Sequence, residues 1–124
     1  MRMLVAATAL TLATSAMAQT GLSVDERARF QMQVAQCWNV GGAANPLPVV
    51  TVTFALNRQA KPIPDSLQLI GAGKDTSDAV KSAYGAAKRA ILRCGAKGYE
   101  LPLEKYGQWR NIELTFNPER MSLR

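Results

Sequence analysis

The sequence predicts an α+β domain in which a three-stranded antiparallel sheet of order 2-1-3 packs with two helices. The elements follow one another in the order α-β-β-α-β, and one disulfide braces them. Two segments with apolar residues at helical spacing, two segments that alternate apolar and polar residues, and a pair of cysteines support this prediction. A chain of 124 residues is expected to form one compact core.

The first residues have the pattern of a secretory signal peptide. Residues 1–18 read "MRMLVAATALTLATSAMA", with a basic start at Arg2, an apolar run, and small residues at Ala16 and Ala18. Cleavage is predicted after Ala18, which leaves residues 19–124 as a single exported domain. A membrane anchor is the competing interpretation, but a span needs about 20 apolar residues and this run is shorter.

The first helix is predicted to begin at Ser23 and to end near Asn39. Ser23 and Glu26 have the spacing of a capping box, in which each side chain bonds the other residue's backbone amide. An apolar stripe follows at helical spacing and is formed by Phe30, Val34, Cys37 and Trp38.

Two strands are predicted between the helices. Residues 49–57, "VVTVTFALN", alternate strictly, so that Val50, Val52, Phe54 and Leu56 share one side. A weaker strand is expected at Ser66 to Ile70. Pro62 and Pro64 precede it and favour an edge position, where missing amide donors are tolerated.

The second helix is predicted to begin at Ser77 and to end before Gly95 as its C-cap. Its apolar stripe consists of Val80, Ala83, Ala87, Ala90, Ile91 and Cys94. Basic residues gather towards its C-terminal end, and we attribute them to the helix dipole rather than to a nucleic-acid surface. These residues are Lys88, Arg89, Arg93 and Lys97.

The third strand is predicted in "NIELTFN", closed by Asn117 and Pro118. If it pairs with the first strand, the second and third strands are the edges of the sheet. An extended peptide could then add to the third strand through backbone hydrogen bonds. The predicted partner-binding edge is Ile112, Glu113, Leu114, Thr115, Phe116 and Asn117.

The two cysteines of an exported chain meet an oxidising compartment, and a disulfide between Cys37 and Cys94 leaves no odd thiol. The chain has no histidine, so histidine-based acid-base catalysis and common zinc sites are excluded. Glu100, Glu104 and Glu113 are interpreted as solvated surface residues. We therefore expect no enzymatic activity, no metal and no cofactor.

The aromatic residues of the last third are assigned to the scaffold. Tyr106 and Trp109 are predicted to anchor a long loop on the end of the sheet, although large amphipathic rings also suit partner binding. The formal net charge is +6, to which Arg2 of the predicted leader contributes one. This excess suits an acidic partner or a polyanionic envelope, and it also keeps a small protein soluble.

Three segments resemble a known family. "CWNV" at the end of the first helix, "AKRAILRCG" at the end of the second, and "EKYGQWRNIELTFNP" before and in the last strand are similar to the C-terminal domain of TolA in alphaproteobacteria. This domain belongs to the TolA and TonB C-terminal superfamily. The resemblance extends from about Leu22 to the end of the chain.

The resemblance implies a helix-flanked three-stranded antiparallel sheet in the periplasm, with no enzymatic activity and no cofactor. It also implies protein partners, namely TolB and Pal of the Tol-Pal envelope system, with colicins and filamentous phage coat protein as parasitic ligands. No nucleic acid and no membrane span are expected. A full TolA begins with a membrane anchor and a long helix, whereas a cleavable leader is predicted here, which indicates a stand-alone adaptor.

An alternative function remains open at this stage. A basic domain braced by a disulfide also suits a periplasmic inhibitor or immunity protein that plugs an acidic site on a bacteriocin or a cell-wall hydrolase. Such a protein would use a rigid loop, and "GAGKDTSD" or "VGGAANPLP" would then matter more than the strand edge.

Overall fold

The computed structural model describes residues 21–39, 48–72, 78–118 and 120–123. The predicted signal peptide and the predicted helix cap Ser77 lie outside these residues. The helices are α1 (Val24–Ala35), α2 (Asp78–Cys94) and α3 (Tyr106–Trp109). The strands are β1 (Val50–Ala55), β2 (Gln68–Gly71), β3 (Asn111–Asn117) and β4 (Arg120–Leu123). Single 3-10 turns lie at Pro64–Ser66 and Leu103–Lys105.

The four strands form one antiparallel sheet of order β2-β1-β3-β4. The predicted order 2-1-3 and the predicted succession of two long helices and three strands are confirmed. The sequence analysis missed β4 and the short helix α3. Because β4 pairs with β3, the sheet has four strands, one more than predicted.

The core fills the space between the two long helices and one face of the sheet. From β1 it receives Val50, Val52 and Phe54, which alternate with residues of the opposite face as predicted. The buried side of α2 is rich in alanine, and small side chains let the helix approach the sheet closely. Helix α1 adds Phe30 and Val34, both fully buried.

Helix α1 begins as predicted and ends earlier than predicted. The Ser23 hydroxyl accepts a hydrogen bond from the Glu26 amide (3.1 Å), and Glu26 Oε1 accepts one from the Ser23 amide (2.8 Å). At the other end the Cys37 amide bonds the Val34 carbonyl at 3.0 Å, the three-residue spacing of a 3-10 turn. The helix therefore ends at Ala35 and not near Asn39, because the chain tightens where Cys37 enters its disulfide.

The predicted disulfide joins Cys37 to Cys94, with a Cα–Cα distance of 5.8 Å. It links the chain just after α1 to the last residue of α2. Trp38 follows Cys37 and packs edge-on against Phe116 of β3, with ring centroids 5.3 Å apart. The end of α1 is thereby fixed both to α2 and to the sheet.

Two glycines let the chain after α2 approach the β1–β2 connection. A Cβ atom on Gly95 would lie 2.5 Å from Cδ of Pro62, so Gly95 is required for space. Gly95 directly follows the last residue of α2, as predicted for its C-cap, and the glycine with positive φ among the described residues is Gly98, at +93°. A Cβ atom on Gly98 would collide with the carbonyl oxygen of Gln59.

Removal of the disulfide should lower the free energy of unfolding by about 4 kcal/mol, since the bond closes a loop across a sequence separation of 57 residues. Urea denaturation of the oxidised protein and of a Cys37→Ser/Cys94→Ser double variant measures this difference. A loss well under about 1 kcal/mol would show that the packing of Phe30, Val34 and Trp38 alone holds α1 in place.

Gly98→Ala should lower the free energy of unfolding by roughly 2 kcal/mol or more, because it combines a backbone collision with an unfavourable φ. Gly107→Ala is the matched control, because a Cβ there meets nothing within 4 Å. The control should be neutral or stabilising by up to about 1 kcal/mol. Equal effects in thermal unfolding of the two variants would contradict the close approach.

Candidate docking site at the edges of the sheet

The predicted docking strand, β3, is an inner strand over most of its length. One side pairs with β1 from Asn111 to Phe116, and the other side pairs with β4 from Leu114 to Asn117. The prediction that β3 forms an edge is therefore wrong for Leu114, Thr115, Phe116 and Asn117. Pro118 does not end the sheet, because it lies in the turn that brings the chain back as β4.

The side chains of β3 are also committed to the fold. Ile112, Leu114 and Phe116 belong to the core and lie opposite Phe54, Val52 and Val50 of β1. On the other face, the hydroxyl oxygens of Thr115 and Thr51 are 3.0 Å apart, and the Thr53 hydroxyl donates to the Ile112 carbonyl at 3.0 Å. These threonines tie β1 to β3 across the open face of the sheet.

The outer strands of the sheet are β2 and β4, and β2 is the one whose side chains the structure describes. Its inner side pairs with β1, and no strand among the described residues pairs with its outer side. Ile70 has no Cα partner on β1, because a bulge lies there between Leu69 and Gly71. The Ile70 side chain is 50% exposed, so β2 offers an apolar side chain beside an unpaired backbone.

A tyrosine from α2 supports this edge. The Tyr84 hydroxyl donates a hydrogen bond to the Leu67 carbonyl, the residue before β2, at 3.1 Å. The ammonium group of Lys88 lies 4.5 Å from the centroid of the Tyr84 ring, a cation–π distance. Tyr84 thus connects the start of β2 to the solvent-facing side of α2.

The two predicted loop anchors lie on α3, beside the end of β1. Trp109 is fully buried, and its Nε1 donates to the Pro102 carbonyl at 2.6 Å. Tyr106 packs edge-on against Trp109, with centroids 4.9 Å apart, and donates from its hydroxyl to the Leu56 carbonyl at 3.3 Å. The Arg58 guanidinium covers the Tyr106 ring at 4.8 Å. Both rings therefore have a packing role in this structure.

Two titratable groups have shifted pKa values, and both serve the fold. The pKa of Glu26 is lowered by the Ser23 amide and by Lys105, whose Nζ lies 2.9 Å from Glu26 Oε1. Burial raises the pKa of the Tyr99 hydroxyl, which donates to the Ile91 carbonyl at 2.6 Å. The part of the chain that the structure describes contains no cluster of three or more metal-ligating side chains.

No protein-family model matches the chain, and neither a curated protein nor a solved structure matches it. The likeness to TolA therefore rests on the residues quoted above. Within the described residues, no helix has the length and apolar character needed to cross a membrane.

Sequence reasoning placed β2 at an edge and did not select it as the docking strand. The segment is short and its alternation is weak, and the sequence does not display the bulge that leaves Ile70 without a Cα partner. The contribution of Tyr84 was also missed. Its position next to the buried alanines of α2 could have indicated this role. A tyrosine at the border of a buried face needs a hydrogen-bond partner for its hydroxyl group.

Stability should depend on pH through Glu26. Because its folded-state pKa is lowered, its contribution is fully present above the ordinary value of 4.5 and is lost as the pH falls through the folded-state pKa. The free energy of unfolding of wild type should therefore approach that of Glu26→Gln as the pH is lowered from about 7 to about 3.

Lys105→Met provides the comparison, because it keeps the Ser23 bond, the largest cause of the shift. Its pH dependence should lie between those of the wild type and Glu26→Gln. Identical pH profiles for wild type and Glu26→Gln would show that the capping box does not hold Glu26 ionised.

Proposed function

We propose that this protein is a protein–protein interaction module of the periplasm that resembles the TolA C-terminal domain. It binds components of the Tol-Pal envelope system, with TolB and Pal as the partners that the resemblance suggests. The docking element is the open edge of β2, to which an extended segment of the partner adds as a further strand.

The observation that carries this proposal is the outer side of β2. An incoming strand can take the unpaired backbone groups there, and Ile70 supplies an apolar contact of the kind that gives strand addition its specificity. The strand is only four residues long, and a bulge interrupts its pairing with β1. Short, bulged edges resist uncontrolled aggregation and still accept a matched partner.

The quoted TolA-like segments support the proposal through their positions. "CWNV" contains one cysteine of the disulfide, "AKRAILRCG" covers the second half of α2 and the other cysteine, and the third segment runs through α3 and β3. These segments build the scaffold that presents β2. A common scaffold favours a common mode of binding and leaves the partner to be tested.

The two loops predicted to serve a periplasmic inhibitor, residues 40–48 and 71–78, lie mostly outside the described residues. This second candidate is favoured instead by the connection between β1 and β2. Asn57 Oδ1 accepts hydrogen bonds from the amides of Gln59 and Lys61, at 2.9 and 3.0 Å, which braces the loop internally. Arg58 and Lys61 are exposed on this loop. A rigid basic loop is the element that an inhibitor would insert into an acidic site.

Amide-shift NMR titration of the oxidised 19–124 protein tests the proposal, with the N-terminal segment of mature TolB and then soluble Pal as ligands. Saturable shifts should cluster on Gln68–Gly71 and on the neighbouring β1 residues. Ile70→Lys should weaken binding about tenfold or more, because it replaces the apolar contact with a charge that blocks an edge.

Ile63→Lys is the matched control, since Ile63 is also a partly exposed apolar residue (40%) and lies outside β2. It should bind within about twofold of wild type. Shifts centred on Asn57–Lys61, removed by Arg58→Ala/Lys61→Ala and not by Ile70→Lys, would favour the inhibitor. No shifts with either ligand would separate this protein from the partners of TolA.

A further inference from the structure

Helix α2 carries four cations on its solvent-facing side, and we call them the basic face: Lys81, Lys88, Arg89 and Arg93. They lie on the arc of the helix opposite its buried residues. From Lys81 to Arg93 the axis rises ~18 Å. Lys97, in the turn after the helix, continues the positive charge towards the C-terminal end.

The helix dipole does not account for this arrangement. Its effect falls off within the last turn, and Arg93 is the basic residue of that turn. Lys81 lies near the opposite end of the helix, where the dipole disfavours a positive charge. Of the cations attributed to the dipole from the sequence, Arg93 lies in the last turn and Lys97 just after it, whereas Lys88 and Arg89 lie farther from the helix end.

Among the residues that the structure describes, the basic face has no acidic partner. The acidic residue of α2 is Asp78, in the first turn. Among the described residues the ion pair joins Lys105 to Glu26 of α1, and no cation of the basic face takes part in an ion pair. Lys81, Arg89 and Arg93 are exposed, and the half-buried Lys88 contacts the Tyr84 ring without a described carboxylate nearby. The positive charge of this face is therefore not neutralised within the described residues.

The composition of the face indicates the kind of anion. Protein interfaces are depleted in lysine and depend on buried aromatic or arginine anchors. The large apolar residue exposed on this face is Leu92, at 36%, and the nearby Tyr84 ring is already covered by Lys88. Single-stranded nucleic acid needs open aromatic rings on which bases stack, and the basic face presents none.

We propose that the basic face of α2 docks on the surface of a phospholipid membrane that contains anionic headgroups. Each lysine or arginine close to such a surface adds to the attraction, and the contact needs no shaped pocket. The Arg89 guanidinium already lies over Gly85, 3.4 Å from the position that a Cβ would take. Because Gly85 has no side chain, the guanidinium groups of Arg89 and Arg93 and the side chain of Leu92 can contact a flat layer of headgroups together.

Vesicle flotation of the oxidised 19–124 protein tests this proposal. Binding is expected to phosphatidylcholine vesicles that contain about one-quarter phosphatidylglycerol, and not to pure phosphatidylcholine. It should weaken steeply between about 50 and about 200 mM sodium chloride, as screening shortens the reach of the charges.

A quadruple variant, Lys81→Gln/Lys88→Gln/Arg89→Gln/Arg93→Gln, should reduce the affinity at least about 100-fold, since each cation accounts for roughly a fivefold change. Glutamine has nearly the helix propensity of lysine and arginine, so α2 is expected to persist. The matched control, Arg27→Gln/Arg29→Gln/Arg58→Gln/Lys61→Gln, removes the same charge from exposed sites elsewhere. It should retain affinity within about fivefold of wild type.

A second measurement reports the orientation of bound protein. The chain has two native tryptophans, Trp38 and Trp109, so the emission of Leu92→Trp is compared with that of wild type to isolate the added ring on the basic face. Its emission should shift to shorter wavelength on anionic vesicles.

Three outcomes would each overturn the proposal. They are equal losses of affinity in the two quadruple variants, no binding to anionic vesicles, and binding to polyglutamate without binding to vesicles.

The test of membrane binding does not depend on the proposed binding of TolB or Pal. Binding to vesicles is measured without TolB or Pal, and Ile70→Lys should leave it intact. A protein that binds vesicles and neither protein ligand would retain the membrane-docking face and lose the proposed partners.

Discussion

One constraint on the placement of α1 is the disulfide between Cys37 and Cys94, which acts together with the burial of Phe30 and Val34. The disulfide fixes its end to α2, while Phe30 packs edge-on against Tyr99 at 4.8 Å and Val34 completes the buried side. The bond thus joins the ends of the two helices that pack on the core face of the sheet.

The second constraint lies at the C-terminal end of α2. Gly95 gives Pro62 room, Gly98 allows the chain to pass Gln59, and the Tyr99 amide then bonds the Ala60 carbonyl at 2.9 Å. The β1–β2 connection is thus held against the segment after α2. Since that connection leads into β2, its rigidity limits the positions that the open edge can take. Rigid presentation lowers the entropy lost when a strand is added, and it equally suits a loop that enters an acidic site.

Alternation in "VVTVTFALN" and "NIELTFN", the Ser23–Glu26 capping box and the cysteine pair were sufficient to predict the main elements and the order 2-1-3. Strand β4 could not be predicted in the same way. Its four residues form a strand because they pair with β3. Pro118 precedes them, and a proline at that position is typical of the end of a strand. The choice of docking strand depended on β4, because β4 pairs with the side of β3 that was predicted to be free. Exposure of Ile70 and the crowding at Gly95 likewise arise from register and packing, which no local pattern encodes.

The two proposed surfaces meet at Tyr84. Its hydroxyl bonds the residue before β2, and its ring carries Lys88 of the basic face, so an occupant of the β2 edge lies beside a positive charge. An added strand with acidic side chains at that end would gain attraction from Lys88, whereas a basic strand would be repelled. The same charge would be partly neutralised on an anionic membrane, which would relax the discrimination between such strands. Under the two proposals, membrane docking and strand addition remain separate binding events, and Lys88 is the residue through which one would alter the charge met by the other.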